Sequence, residues 1–320
     1  MAKLRLKNLN KTTQKTIGEI YDDYLNYCTS IGQRENTIKS KENFGRYVLT
    51  KVVNMEDNIQ TLTKNKIQNY INFMRKEGYK GNTYKTFTIK LRAFLTYCFD
   101  NNYLTKFNIK IPNTLLEKKK IYTEEEVLKL LKKPNTNTCL VGDFRSWAIC
   151  SFLLGTGCRA ETLLNVHVED IDFNVDSILF RHMKTKKQVT VPLSNTLKVT
   201  LMEYIQRMGL KQEDYLFPLL NGEKMNYDTC HQNLKNYFRH RKVKFHGINT
   251  FRNTFATMFI KNGGDIYRLK AILAHSNIKT TERYVNLLPL DLSEDIQQFN
   301  PLDVLSKKSR KMRMQRGGRR

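Results

Sequence analysis

The sequence predicts a mostly α-helical protein of two domains with one small antiparallel sheet in the second. Three observations predict it. The 320 residues suffice for two separate cores. Apolar residues recur at helical spacing along most of the chain. Only between Ile171 and Val191 does the apolar period change to two. With 40% hydrophobic residues the composition is that of a folded protein and excludes intrinsic disorder.

Residues 1–15 carry Lys3, Arg5, Lys7, Lys11 and Lys15 and no acid. They are expected as a basic arm, too short to fold alone, so no additional N-terminal domain is expected. A helical domain follows over 16–107. Ile17, Ile20, Tyr21, Tyr24 and Leu25 form one stripe, and Phe44, Tyr47 and Val48 a second. Thr63 is the cap of a third helix with Ile67, Tyr70, Ile71 and Met74 inward and Gly78 beyond its end. Asn82 or Thr83 starts a fourth, which carries Phe87, Leu91, Phe94, Leu95 and Cys98 and ends near Asn101. Residues 108–120, with Pro112 and the run Lys118-Lys119-Lys120, predict an extended linker rather than a packed element.

The second domain, 121–290, opens with Thr123 and Glu126 at capping-box spacing. Arg145–Leu154 is expected to be a buried helix closed by Gly155 and Gly157. Ile171 with Phe173, Ile178 with Phe180, and Val189 with Val191 mark three short strands, with Lys184–Lys187 as the turn between the last two. Helices resume from Asn195. Residues 291–320 form a C-terminal segment whose apolar part (Ile296, Phe299, Leu302, Val304) is too short for a core of its own and is expected to dock on a neighbouring subunit.

The formal net charge is +25. Eight of the fourteen residues 307–320 are Lys or Arg; subtracting these still leaves +17 on the rest of the chain. Such a balance favours a polyanionic partner, nucleic acid first. An anionic membrane is the competing partner, but no apolar stretch approaches the ~20 residues of a span and no signal-peptide core is present. The six cysteines include no C-x-x-C pair, and the six histidines lack ligand spacing. The expectation is a cytoplasmic protein without metal or cofactor.

The residues with chemistry lie in two blocks. The first is Gly155-Thr156-Gly157-Cys158-Arg159. The second is NTFRNTFAT from Asn249, then LAHSNIKTTERYV, which together contain Arg252, His275 and Tyr284. Arg159 sits at a turn-to-helix position that suits an anion; taken alone it reads more readily as a surface arginine in an ion pair. Asn249 is read as the cap of a helix from Thr250 to Lys261. Arg252 is then a cation in the first turn, opposed by the helix dipole, a placement that a bound phosphate would explain. His275 follows a short helix Ile266–Leu273; a lone His there, or one Tyr among sixteen, is ordinarily structural. Metal-free phosphodiester cleavage needs a nucleophile, cationic donors around the phosphate and an acid for the leaving oxygen. Lys184 suits the acid, because a lysine pKa falls near other cations and an arginine's hardly does. On charge alone Lys186 and Lys187 serve equally, or contact DNA phosphates.

This pattern resembles the tyrosine recombinase, or phage integrase, family over nearly the whole chain. The resemblance implies a SAM-like helical core-binding domain joined to a mixed α/β catalytic domain, in a clamp around double-stranded DNA. It implies that Arg159 and Arg252 are the two catalytic arginines, Lys184 the hairpin lysine, His275 the late His/Trp and Tyr284 the nucleophile of a 3′-phosphotyrosine intermediate. It further implies a homotetramer on an inverted-repeat core site, with an accessory directionality protein as a possible partner. Lys118, Lys119, Lys120, Lys186 and Lys187 are the expected DNA contacts.

Three positions depart from the family. Asn249 stands where the H-x-x-R motif has its His, and Asn cannot shuttle a proton; His246, just upstream, is the alternative auxiliary. Thr162 stands in the usual place of an acid, with Glu161 one residue early, and Ala274 replaces the glycine before the late His. The readings to separate are an integrase of a phage or mobile element, a dimer resolvase or topoisomerase-like enzyme of the same chemistry, and a non-catalytic DNA-binding architectural protein.

Overall fold

The structure, a computed structural model, describes residues 15–113, 119–181 and 188–285. Lys118, the turn with Lys184, Lys186 and Lys187, the C-terminal segment and nearly all of the basic arm lie outside the described residues. The chain forms two compact units, Met1–Glu117 and Lys118–Arg320.

Among the described residues, four α-helices build the first unit: α1 (Ile17–Ser30), α2 (Glu35–Tyr47), α3 (Lys64–Lys76) and α4 (Gly81–Asp100). Thr16 and Glu19 close a capping box on α1, and Thr63 caps α3 as its sequence position predicts. Ile17, Ile20, Leu91 and Phe94 are fully buried, with the Tyr21 and Phe94 rings 4.9 Å apart edge to face. Two expectations need correction. Tyr47 is 60% exposed rather than part of a core stripe, its ring lying beside the Arg46 guanidinium at the end of α2. The segment after α4 is extended but partly packed: Ile109 inserts into this core, because an apolar side chain beside a helical unit gains more by burial than by exposure.

The second unit is organised around α6 (Val141–Thr156), four residues longer at its start than the sequence suggested. It follows α5 (Glu124–Leu131), whose capping box is Thr123 with Glu126. The length of α6 is explained by its surroundings. α5, α8 (Asn195–Met208), α9 (Tyr227–His240) and α10 (Asn249–Lys261) all pack on it, so nearly every side is apolar or satisfied. Arg145 is buried there and donates to the Pro218 carbonyl at 2.6 Å. Gly157, with φ of 60°, ends α6 in the left-handed conformation that glycine adopts without strain.

After the four-residue α7 (Ala160–Leu163) comes the sheet, ordered β1 (Ile171–Asp172), β2 (Ser177–Phe180), β3 (Val189–Pro192), all antiparallel. Ile178 pairs with both Ile171 and Val191, so the buried alternation read from the sequence is in register. The last helices among the described residues are α11 (Ile266–Ile272), capped by Asp265, and α12 (Lys279–Val285). Asn249 does not cap α10. It is the first helical residue, exposed, and Ile248 precedes the helix without a side-chain cap. Thr250, one residue on, turns its hydroxyl back to the His246 carbonyl at 3.0 Å.

Candidate active site

Arg252, on α10, is 7% exposed and spends its donors on the protein. Nη1 donates to the Gly157 carbonyl at 2.9 Å; Nη2 donates to the Leu273 carbonyl at 2.8 Å and to His275 Nε2 at 2.7 Å. The two carbonyls belong to the end of α6 and the end of α11, so the guanidinium ties three segments together. Gly157 is needed here for space as well as conformation. A Cβ at this position would run into the Phe255 ring and come 2.8 Å from Leu273.

His275, buried, has its other ring nitrogen 2.8 Å from the hydroxyl of Thr281, which is fully buried in α12. Tyr284, one helical turn beyond Thr281, is 2% exposed and packs among Ala256, Leu269 and Leu273. Its ring lies nearly parallel to that of His275, at 6.3 Å and 12°. From the connecting strap, Lys119 places its ammonium 4.5 Å from the centre of the Tyr284 ring. That strap is held along α10: Tyr122 N–H donates to Thr254 Oγ1 at 2.9 Å and Asn253 Nδ2 to the Lys120 carbonyl at 3.3 Å. Arg159, just before α7, has a buried Nη1 with no hydrogen-bond partner among the described residues.

The electrostatics follow from burial and from positive neighbours. Burial, then the Arg159 charge, lowers the Arg252 pKa to about 10, so it stays charged at neutral pH. Burial, then Arg252, Arg159 and Lys119, pushes His275 down to about 3 and keeps it neutral. Among the described residues no carboxylate forms an ion pair with Arg159, Arg252 or Lys119. A group of cations gathered around a buried tyrosine without a counter-ion is costly unless an anion completes it.

Arg159, Arg252, His275 and Tyr284 are thus brought together. Lys184, Lys186, Lys187 and Lys118 lie outside the described residues. His246 and Asn249 do not join the cluster. His246 stacks on Tyr122 at 6.0 Å, and its backbone N–H donates to the Tyr122 hydroxyl at 3.2 Å. Burial, with Lys120 and Lys244, lowers its pKa. Lys120 and His246 line a separate groove with Lys235, Arg239 and Lys244. Two contributions were not singled out from sequence: Thr281 as the partner of His275, and the place of Lys119 beside the tyrosine. The only sequence signal for Thr281 is its place one turn before Tyr284.

Residues 120–290 match the sequence model of the phage integrase family. The chain belongs to the phage integrase family. Among its curated relatives, the tyrosine recombinase XerA of Pyrococcus furiosus is 28% identical over 297 residues, covering 91% of this chain and 98% of the relative. The tyrosine recombinase XerD of Listeria innocua is 26% identical over 302 residues, covering 89% and 99%. The fold is shared with the Tn1549 transposon integrase solved with transposon right end DNA, at TM-score 0.74 and 18% identity over 88% of this chain and 98% of the other. It is shared also with the lambda integrase tetramer bound to a Holliday junction, at TM-score 0.68 and 16% identity over 86% and 83%. This family member is a site-specific recombinase, an enzyme of DNA breaking and rejoining. No helix among the described residues is long and apolar enough to cross a membrane.

Proposed function

We propose that this recombinase cleaves double-stranded DNA with Tyr284 as nucleophile, the observation behind it being the uncompensated cations around that buried tyrosine. Tyr284 Oη gives up its proton to solvent water as it bonds to the scissile phosphorus, the bond to the 5′-oxygen breaks, and a 3′-phosphotyrosine forms. Arg159 and Arg252 hold the non-bridging oxygens as negative charge builds in the pentacoordinate state, the orphaned Arg159 Nη1 being a donor ready for one of them. Lys184 gives a proton to the leaving 5′-oxygen. The free 5′-hydroxyl of a partner strand then reverses the step, so no external energy source is consumed. Asn249 and His246, which stand apart from the cluster, are given no part in this step.

In this reading residues 16–107 bind the core site, 121–290 carry out the chemistry, and 291–320 join subunits into a homotetramer on an inverted-repeat site. Lys118, Lys119, Lys120, Lys186 and Lys187 contact phosphates. The biological reaction is integration or excision of a phage or mobile element in the cytoplasm, at the nucleoid, with an accessory protein setting direction. Resolution of chromosome or plasmid dimers is the second reading, favoured by the XerD and XerA relatives matched over nearly their full length.

The test is an SDS-resistant protein–DNA adduct on nicked suicide duplexes made from DNA flanking the gene, with Tyr284→Phe as control. An adduct present in the wild type and absent from the Phe variant supports the proposal. Sequence-specific binding without any adduct would favour an architectural protein instead. Adducts formed only on a chromosomal dimer site, and not on the flanking DNA, would favour the resolvase.

A further inference from the structure

Thr281 has no place in the reaction just described, yet it is fully buried and its hydroxyl meets His275 Nδ1 at 2.8 Å. On the far side of the same ring, Nε2 meets Arg252 Nη2 at 2.7 Å. These two contacts are chemically unequal. A guanidinium has donors only, so Nε2 must face it with a lone pair. A neutral imidazole carries a single N–H, which then sits on Nδ1 and is donated to Thr281 Oγ1. The charged groups facing the ring are all positive: Arg252 from α10, Arg159 from the turn before α7, and Lys119 from the strap. They disfavour a second ring proton.

We propose that Thr281 is a positioning residue that fixes His275 as the Nδ1–H tautomer, making Nε2 a standing acceptor for Arg252. His275 then orients the guanidinium, together with the Gly157 and Leu273 carbonyls. The opposite tautomer would set an Nε2–H against an Arg252 N–H and leave Thr281 to donate. The two arrangements differ by the position of one proton, and only the first sets a lone pair rather than an N–H against the Arg252 donor. The inference rests on the reading of Arg252 as a phosphate ligand.

Two measurements on the full-length protein test it. Two-bond proton–nitrogen spectra of protein labelled with ¹⁵N-histidine report the tautomer directly, with the His275 signals assigned by their loss in His275→Gln. The expected result is a protonated Nδ1 and an unprotonated Nε2 in the wild type and in Thr281→Ser, and a mixed or reversed pattern in Thr281→Val. Cleavage of the nicked suicide duplex should fall on the order of 10- to 100-fold in Thr281→Val, the scale of a misplaced orienting group, and stay near wild type in Thr281→Ser. A protonated Nε2 in the wild type overturns the proposal, as does wild-type cleavage by Thr281→Val. Should Thr281→Val fail to fold, the wild-type and Thr281→Ser spectra still decide the tautomer. A wild type with the expected tautomer but no adduct would remove the cleavage reading and leave the positioning of His275 standing.

Discussion

Arg252 Nη2 and His275 Nε2 stand 2.7 Å apart in the buried centre of the second unit, and burial first, then this contact, keeps the histidine neutral. Burial and the surrounding cations lower the His275 pKa from 6.5 to about 3. The unfolded chain therefore binds more protons than the folded one between these two values, and stability rises with pH across the window. It is lost as pH falls from 6.5 toward 3 and is flat above. A single group contributes at most about 1.4 kcal/mol per pH unit. The expected outcome is a wild-type urea midpoint that climbs from pH 4.5 to 6.5 more steeply than that of His275→Gln, which lacks the titrating group. Parallel curves for the two proteins would mean that His275 is not held neutral.

Replacing Arg252 by Lys keeps the charge and loses the geometry. The guanidinium serves Gly157, Leu273 and His275 at once, from donors fixed in one plane. An ammonium on a shorter reach cannot meet all three and also hold a phosphate. Single-turnover cleavage by Arg252→Lys should fall by roughly 10²- to 10³-fold, as for loss of one preorganised oxyanion donor. A loss below about 10-fold would make charge, not orientation, the contribution of Arg252.

Much of this was legible in the chain, for reasons that differ from element to element. Thr123 with Glu126 and Thr63 marked helix starts because capping is local chemistry, decided within four residues. The sheet was legible because the inward residues recur at every second position, Ile178 with Phe180 and Val189 with Val191, and Ile178 pairs in register with Ile171 and Val191. Asn249 misled because its residue type suits a cap, while the backbone enters α10 already helical at Ile248, with a φ of −60° and ψ of −40°. Tyr47 misled because periodicity finds a stripe and says nothing of where a helix ends. In the site, the pattern brought Arg159, Arg252, His275 and Tyr284 together, but not Thr281 or Lys119. Lys119 meets Tyr284 across the fold, and Thr281 meets His275 only through the turn between α11 and α12, whose geometry one sequence does not carry.

Ala274 has φ of 49°, in the left-handed region that costs a residue with a Cβ about 1–2 kcal/mol. It lies between Leu273, whose carbonyl accepts from Arg252, and His275. Ala274→Gly relieves the strain while adding backbone freedom to the unfolded chain, so the net gain should be about 1 kcal/mol, seen as a higher melting temperature. Cleavage should be unimpaired if glycine holds the same turn. A lower melting temperature would mean that the alanine methyl packs better than its backbone is strained.

Asp170 offers the clearest contrast between ion pairs. Its side chain is 1% exposed, and one carboxylate oxygen accepts the His167 backbone N–H at 2.9 Å. The other faces Arg181 Nε, and Arg181 also reaches Glu169 at 3.0 Å. Arg181 follows β2 directly, so the pair ties the end of that strand to the turn before β1. Arg181→Gln strands a buried carboxylate without its counter-ion. Arg181 itself is 40% exposed, so water softens the loss, and about 2 kcal/mol is expected rather than the full cost of breaking a buried pair. Lys129→Ala, which breaks the exposed Lys129–Glu125 pair, should cost less than about 0.5 kcal/mol. Adding Asp170→Asn to Arg181→Gln should recover part of the loss, because an amide needs no counter-ion. If denaturation shows Arg181→Gln to be no worse than Lys129→Ala, Asp170 is solvated well enough to stand alone, and the tie between β2 and the preceding turn is held by the sheet hydrogen bonds instead.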